Sequence, residues 1–322
     1  MAPKNEDVLS TAYKYAWSDE STQPLDEFLK KFRPSMVEND GTKPWIWVTA
    51  SQPEKNDSGA EEALVEASAV LKELTEKVES IKNDDSIPVR SSKKTGAKSK
   101  KEVREAAQAE ATKRLEEISV EHGYVSGKWL IFAPAEKVDV IWSAVAKSLV
   151  SGPLSSTCAY SAKVATSPGE QTPNYQHVIC VYIPDVYDKP KVLEVMKVLL
   201  RNHGLNLSGV KSNLYTRLDI DSKHPSGIQS TVWKNSALLP ETEIKALKEA
   251  YFAELANKPA ESGPNPAVEA KPVPATETEA QPSGSTAEEA KPKAKPKSKK
   301  KKEATEFESS DEDEPAPKRA KK

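Results

Sequence analysis

Short apolar runs recur along the chain at intervals that suit the strands of one sheet. The run 177–183 is almost wholly apolar, so we place it at the centre of that sheet, where both faces are covered. Helical spacing of apolar residues separates these runs, and glycine or proline ends each helix. Strands are predicted at 45–49, 129–132, 158–165, 177–183, 214–220 and 228–233, and helices before Pro34, before Gly152, before Gly204 and at 240–255. The pattern predicts an α+β fold in which helices cover a sheet.

A long polar stretch, 58–122, interrupts this pattern after the run 45–49. Two stripes of apolar residues at helical spacing run through it. The first stripe comprises Leu64, Ala67, Leu71, Leu74, Val78 and Ile81, and the second comprises Val103, Ala107, Ala111, Leu115 and Ile118. Between them lies a loop rich in Lys, Ser and Gly. We interpret the stretch as an inserted pair of helices that form a hairpin, with a disordered loop as the alternative.

Composition changes near the end of the chain. Only 37% of the 322 residues are hydrophobic, and from 257 onward Pro, Ala, Glu, Lys, Ser and Thr predominate. Such a segment buries too little apolar surface to offset the entropy of ordering it. We therefore predict an N-terminal segment 1–40 with a short docking helix, an α+β domain 41–256 that contains the insertion 58–122, and a disordered tail 257–322. No apolar run is long enough to span a bilayer, so we expect no membrane partner.

The net charge of −2 conceals two basic clusters in the tail. The clusters contain Lys299 and Lys300 in the first, and Lys318, Arg319, Lys321 and Lys322 in the second. Such clusters are typical of nuclear localisation signals bound by importin, which predicts a protein of the nucleus and cytoplasm. A solubilising tail or a non-specific nucleic-acid contact is the alternative. Ser309 and Ser310 precede a run of acidic residues, which predicts phosphorylation by an acidophilic kinase.

Cations and tryptophans on the predicted strands are the candidate binding residues. Lys163 and Arg217 fall in the middle of predicted strands, where a cation can reach a phosphate; a strand face that contacts water is the alternative. Trp45 and Trp47 share one face of their strand. One of them stacks on a nucleotide base, or both pack in the core.

Motifs of catalysis and metal binding are missing from the sequence. The four histidines lack metal-ligand spacing, and there is neither a glycine-rich phosphate loop nor a nucleophile elbow. A Cys–His pair built from Cys158 or Cys180 is disfavoured, because burial in an apolar strand raises the pKa of a thiol. We therefore expect no enzyme activity, no cofactor and no metal.

Several motifs, in their order and spacing, resemble the core of the cap-binding translation initiation factor 4E. These are Gly127-Lys128-Trp129-Leu130-Ile131, Val140-Ile141-Trp142, the runs 159–165, 177–183 and 195–205, and Leu214-Tyr215. Gly-Lys-Trp-Leu, Ala162-Lys163-Val164, the run 177–182 and Leu214-Tyr215 also look like motifs of a fungal and animal family that includes the basophilic leukaemia expressed protein. The resemblance covers residues 125–235 together with 45–49. It implies a curved, mostly antiparallel sheet backed by helices, with a concave face for a ligand, and it places Lys163 near the basic residue that cap-binding factors use for phosphates.

One departure from the resemblance concerns the ligand. Cap-binding factors stack methylated guanine between two loop tryptophans, whereas this sequence has no tryptophan between Trp47 and Trp129. We therefore predict a non-catalytic binding protein of initiation factor 4E-like fold that binds a nucleotide, RNA or an RNA-associated partner without that tryptophan pair. The alternative is a protein-interaction adaptor that acts through the insertion 58–122 and the tail.

Overall fold

The computed structural model describes residues 13–51, 59–169, 172 and 174–257. The predicted tail, with both basic clusters and the two candidate phosphorylation sites, lies outside the described residues apart from Asn257. The strands are β1 (Ala16–Ser18), β2 (Glu38–Asn39), β3 (Trp45–Thr49), β4 (Gly127–Pro134), β5 (Ser161–Ala165), β6 (Ser167–Pro168), β7 (Gln176–Ile183) and β8 (Leu207–Ser212). The helices are α1 (Leu25–Lys31), α2 (Ala60–Asn83), α3 (Lys100–Glu121), α4 (Ala135–Ser151), α5 (Lys189–Arg201), α6 (Asn213–Arg217), α7 (Asn235–Leu238) and α8 (Glu241–Asn257). These elements form the expected α+β fold.

The main sheet has six strands in the order β1-β3-β5-β7-β4-β8. All neighbours are antiparallel except β1 and β3, which run parallel. Strands β2 and β6 form a separate two-stranded parallel pair. The prediction of a mostly antiparallel sheet is confirmed, and so is the inner position of the apolar run 177–183, since β7 lies between β5 and β4. The N-terminal segment adds β1 to the sheet edge, which the sequence did not predict.

One face of the main sheet packs against helices. Alternate residues of the inner strands point toward α1, α4 and α5 and form the largest core with them. Trp129 on β4 and Trp142 on α4 are fully buried in this core. Trp17 of β1 joins it and donates its indole N–H to the carbonyl oxygen of Gln23 at 2.8 Å. Phe28 and Leu29 of α1 are buried in the same core, so this helix packs against the sheet.

The inserted helices α2 and α3 form the predicted hairpin and share a second core with the rest of the domain. Leu115 and Ile118 of α3 pack with Ala63 and Ala67 of α2. Leu214, Tyr215, Ile220 and Ile228, from α6 and the loop after it, complete this core. The amide of Gln108 also donates to the carbonyl oxygen of Ser226 at 2.9 Å. The hairpin is thus a packed part of the domain rather than a detached appendage.

Two predicted strands are wrong. The segment predicted at 214–220 contains helix α6, because the Ser212 hydroxyl accepts the Tyr215 backbone N–H at 3.0 Å and so starts a helix. The strand lies just before it, as β8. The segment predicted at 228–233 forms only an isolated bridge between Val210 and Trp233. The apolar and β-branched residues of both segments fill core positions without forming a ladder.

Candidate functional site

The sheet face opposite the main core carries a cluster of lysines and aromatic residues. Alternation along the strands places their side chains on this side, while their sequence neighbours Ile46, Val48, Ala162, Val164 and Val181 join the main core. We call this surface the lysine face and define it by Trp45, Trp47, Lys128, Lys163, Tyr182 and Lys211. These residues come from five neighbouring strands, β3, β5, β7, β4 and β8.

Lys163 lies against three aromatic rings. Its Nζ is 4.2 Å from the ring centre of Trp45, 4.8 Å from that of Trp47 and 5.6 Å from that of Tyr182. Lys163 is only 2% exposed. The sequence predicted either a phosphate contact or a water-facing strand residue, and neither alternative anticipated this burial. A desolvated ammonium over aromatic faces gains about 2 kcal/mol or more. The Lys163 Nζ therefore lies within a cluster of three aromatic rings on this face of the sheet.

Tyr182 joins the two halves of the lysine face. Its ring stacks on Trp47 with centres 5.5 Å apart and planes at 23°. The Lys128 Nζ lies 5.2 Å from the centre of the same ring. Lys128 also donates to the Asn213 side-chain oxygen at 3.2 Å, and the Asn213 amide donates to the Ser126 hydroxyl at 2.8 Å. Lys128 is thereby held in place, with 4% of its surface exposed.

Lys211 extends the positive charge toward the edge of the sheet. It lies opposite Lys128 in the β4–β8 register. Burial lowers the pKa of Lys211, while the carboxylates of Asp221 and Asp219 act in the opposite direction. The side chain is half-buried.

Apolar side chains beside the lysines are partly exposed to solvent. Trp45, Leu130 and Val178 are all half-buried. Phe132 is 48% exposed and lies opposite Val178 in the β4–β7 register. The face thus combines partly exposed aromatic rings with ammonium groups, the combination that binds nucleotides through stacking and phosphate contacts.

Arg217 is not part of the lysine face. It belongs to α6, not to a strand as predicted, and its guanidinium donates to the Glu61 carboxylate of α2 at 2.8 Å. Of the four predicted binding residues, the structure brings together Trp45, Trp47 and Lys163. Sequence reasoning missed Lys128 and Tyr182, although the alternation in β4 and β7 placed them on this face, and it missed Lys211 because β8 itself was not predicted.

Three further side chains of interest, those of His177, Trp233 and Cys158, lie away from the lysine face or within the packed fold. His177 is buried, with Nδ1 2.8 Å from the carbonyl oxygen of Ala165. The indole N–H of Trp233 donates to the carbonyl oxygen of Val186 at 2.7 Å. Cys158 lies before β5 rather than within it, and burial raises the pKa of its thiol to about 11. Among the described residues, no group of three or more His, Cys, Asp or Glu side chains is placed to hold a metal ion.

In the described part of the chain, none of the helices is sufficiently long and apolar to cross a membrane.

A comparison with protein families identifies the family of the chain. The family described as Basophilic leukemia-expressed protein Bles03 matches residues 3–219. This match spans every residue of the lysine face and both helices of the hairpin. Because it covers more than half of the 322 residues, the chain belongs to the family of the basophilic leukemia-expressed protein Bles03.

Proposed function

We propose that this protein is a non-catalytic binding protein that holds a nucleotide or a segment of RNA on the lysine face. The observation that carries the proposal is the position of Lys163 against Trp45 and Trp47, with Lys128 and Lys211 on the same side of the sheet. Ammonium groups complement phosphates, and aromatic rings complement bases. A protein surface that offers both side by side suits a nucleotide better than it suits a simple anion.

The residues of the face take different parts in the proposed complex. Trp45 and Lys211 are half-buried and directly available, so Trp45 stacks on a base and Lys211 contacts a phosphate. Lys128 and Lys163 are buried and act from beneath as fixed positive charges. Their field is stronger in this partly dry environment than it is in water.

We further infer that the domain is a variant of the initiation factor 4E-like fold. The strand β4, with its Gly127-Lys128-Trp129 sequence, is followed by α4 on the core face of the sheet, and this order leaves the lysine face opposite the helices. The chain has no tryptophan between Trp47 and Trp129 that could sandwich a methylated guanine. The inference therefore predicts equal affinities for GTP and for its 7-methyl form.

Fluorescence titration of the full chain with GTP, 7-methyl-GTP and a short RNA tests the proposal. Loss of one stacked base costs roughly 1–3 kcal/mol, so Trp45→Ala should weaken binding about 5- to 150-fold. Lys211→Ala should weaken it and reduce its salt dependence. Lys197→Ala, on α5, is the matched control and should bind like the parent protein. Absence of saturable binding at low salt, or an unchanged affinity in Trp45→Ala, contradicts the proposal.

The alternative function, a protein-interaction adaptor, draws support from apolar side chains on the outside of the hairpin. Val65 is 74% exposed and Val120 is 56% exposed. Deletion of the whole hairpin is a poor test, because it uncovers Leu214 and Tyr215 in the shared core. Val65→Asp and Val120→Asp leave that core intact. A stable partner whose affinity falls in these variants, with nucleotide binding absent, favours the adaptor.

We also propose that the basic clusters of the tail direct nuclear import. The support is their sequence alone, since they lie outside the described residues. A fluorescent fusion in which Lys318, Arg319, Lys321 and Lys322 are changed to alanine should shift from nucleus to cytoplasm.

Replacement of Ser309 and Ser310 by alanine tests the predicted phosphorylation by an acidophilic kinase, because incorporation of phosphate into the tail should then be lost.

A further inference from the structure

The turn that joins α2 to α3 carries a dense group of cations. Residues 86–101 contain six basic residues and no acidic one. The six are Arg90, Lys93, Lys94, Lys98, Lys100 and Lys101. We call this segment the hairpin tip. Five of these six side chains are exposed, and Lys100 is half-buried.

Backbone hydrogen bonds fix the conformation of the hairpin tip. Ser92 N–H donates to the carbonyl oxygen of Ala97 at 3.0 Å, and Gly96 N–H donates to that of Ser92 at 2.9 Å. Gly96 has φ of 72°, a left-handed conformation that glycine adopts without strain. Lys93 and Lys94 therefore sit within a tight turn, and a capping box between Ser99 and Glu102 starts α3 directly after it. The cations project from an ordered turn.

Four cations of the tip differ from those along the hairpin; of the other two, Lys101 pairs with Glu105 and Lys100 donates to the carbonyl oxygen of Lys82. Lys77 pairs with Glu110, Lys113 pairs with Glu117, and Arg114 pairs with Glu66. In the part of the chain that the structure describes, no ion pair involves Arg90, Lys93, Lys94 or Lys98. Glu102 lies near Lys98, but its carboxylate already accepts hydrogen bonds from Ser99. The tip therefore keeps its positive charge for an external partner.

The tip also projects beyond the core that anchors the hairpin. Leu74 is the last buried α2 residue in the core shared with α6, and the half-buried Val78 packs against the same core. Five further residues of α2 follow Val78, up to Asn83, and at about 1.5 Å per residue they carry the chain about 7 Å further. Helices α2 and α3 thus hold the basic turn away from the body of the domain.

We propose that the hairpin tip binds the phosphate backbone of RNA as a second contact, independent of base sequence. The proposal deepens the proposed function and rests on it for the choice of RNA. Clustered Lys and Arg side chains with neighbouring hydroxyls, here Ser91 and Thr95, are the usual partners of phosphate oxygens. The tip has no aromatic residue to enter a bilayer. An RNA that reaches both the tip and the lysine face gains affinity from the two linked contacts, whereas a mononucleotide reaches only the face.

Charge reversal at the tip tests the proposal on the full chain. Anisotropy of a labelled 20-nucleotide RNA is measured for the triple variant of Lys93, Lys94 and Lys98 to Glu, across a range of salt concentrations. Three lost phosphate contacts should reduce the slope of log affinity against log salt by about 2, since each contributes roughly 0.7 for single strands. The affinity at low salt should fall at least about tenfold. GTP binding should stay unchanged.

The matched control is the triple variant of Lys72, Lys77 and Lys113 to Glu, which changes the net charge equally along the hairpin. Equal losses of RNA affinity in the two triple variants, or an unchanged salt slope in the tip variant, overturn the proposal. Binding to vesicles with anionic lipid but not to RNA also overturns it. If GTP does not bind the parent protein but the tip variant alone loses RNA, the face proposal fails and the tip proposal stands.

Discussion

Lys128 and Lys211 lie directly opposite each other on the antiparallel strands β4 and β8. The Lys128 Nζ donates to Asn213 and lies beside the ring of Tyr182. Burial lowers the pKa of Lys211, and Asp221 and Asp219 offset only part of this effect. The charged form of Lys211 therefore costs folding free energy at neutral pH.

Lys211→Met should raise the free energy of unfolding at pH 7, because it removes the cost of burying a charged side chain, the effect that lowers the pKa of Lys211. Since the folded pKa lies below the unfolded value, the stability of the parent protein should rise as the pH increases through the folded pKa toward 10.5. The variant should lack that rise. Urea denaturation at pH 7 and near pH 10 provides the measurement, with the exposed Lys234→Met as control. A variant less stable than the parent at pH 7 would refute this account.

Leu115→Ala should lower the free energy of unfolding by about 2–5 kcal/mol, because Leu115 is fully buried in the core that the hairpin shares with α6. Circular dichroism and tryptophan fluorescence should report one coincident transition, since hairpin and sheet unfold together. The exposed Lys113→Ala serves as control. An early helical transition that leaves the fluorescence unchanged would mean that the hairpin unfolds separately.

Gly127→Ala should destabilise the fold by about 1–3 kcal/mol. A Cβ at this position would lie 2.4 Å from the Val186 Cγ1 and 2.5 Å from the Lys211 carbonyl oxygen, and the second contact is with backbone. Gly169→Ala is the matched control, because its nearest contact is the movable carboxylate of Glu38 at 3.2 Å. Thermal unfolding of both variants separates the effects; similar midpoints would rule out the close approach at Gly127.

Glu66 couples hairpin stability to pH. Hydrogen bonds from His122 and Arg114 hold the pKa of its carboxyl below the usual value of 4.5. A group with a lowered folded pKa contributes stability above its unfolded pKa and loses it as pH falls through the folded pKa. Glu66→Gln should therefore be less stable than the parent at pH 7, and the two should converge at acid pH. Glu62→Gln, one turn earlier on the exposed surface, should differ from the parent at neither pH.

The thiol of Cys158 should react slowly. With its pKa raised to about 11 by burial, it forms about 100-fold less thiolate at pH 8 than a thiol of ordinary pKa near 9. Alkylation by iodoacetamide, followed by peptide mass spectrometry that separates Cys158 from Cys180, measures the rate. In denaturant the reaction should accelerate to that of a free cysteine. Fast alkylation of the folded protein at pH 8 would exclude the raised pKa.

The hydrophobic pattern predicted correctly those elements whose buried residues recur at regular helix or strand spacing. The stripes through Leu71 and Leu115 gave the hairpin, and the apolar run of β7 gave the centre of the sheet. The segment 214–220 was predicted wrongly as a strand. Its apolar residues suit a strand and a helix equally well, and the hydrogen bond from the Tyr215 N–H to the Ser212 hydroxyl starts a helix there. The bridge at Trp233 depends on the partner Val210, which lies far away in sequence.

The candidate site was only half accessible to sequence reasoning. Strand alternation placed Trp45 and Trp47 on one face, and the register of β3 with β5 sets Lys163 opposite Trp47. Register is a long-range property, so neither the contact of Lys163 with Tyr182 nor the opposition of Lys128 and Lys211 could be read locally. Arg217 failed as a candidate for the same reason that its strand failed.

The strand order determines when each part of the sheet can form during synthesis. Strand β4 is synthesised before both of its neighbours in the sheet, β7 and β8. It can pair with β7 only after Ile183 has been made, and with both neighbours only after Ser212. The pairing of β3 with β5 likewise spans the entire hairpin. Helices α2 and α3, close in sequence, can pair much earlier. A nascent chain therefore carries β4 without a complete partner while residues 135–183 are made, an interval in which its exposed strand edges favour aggregation.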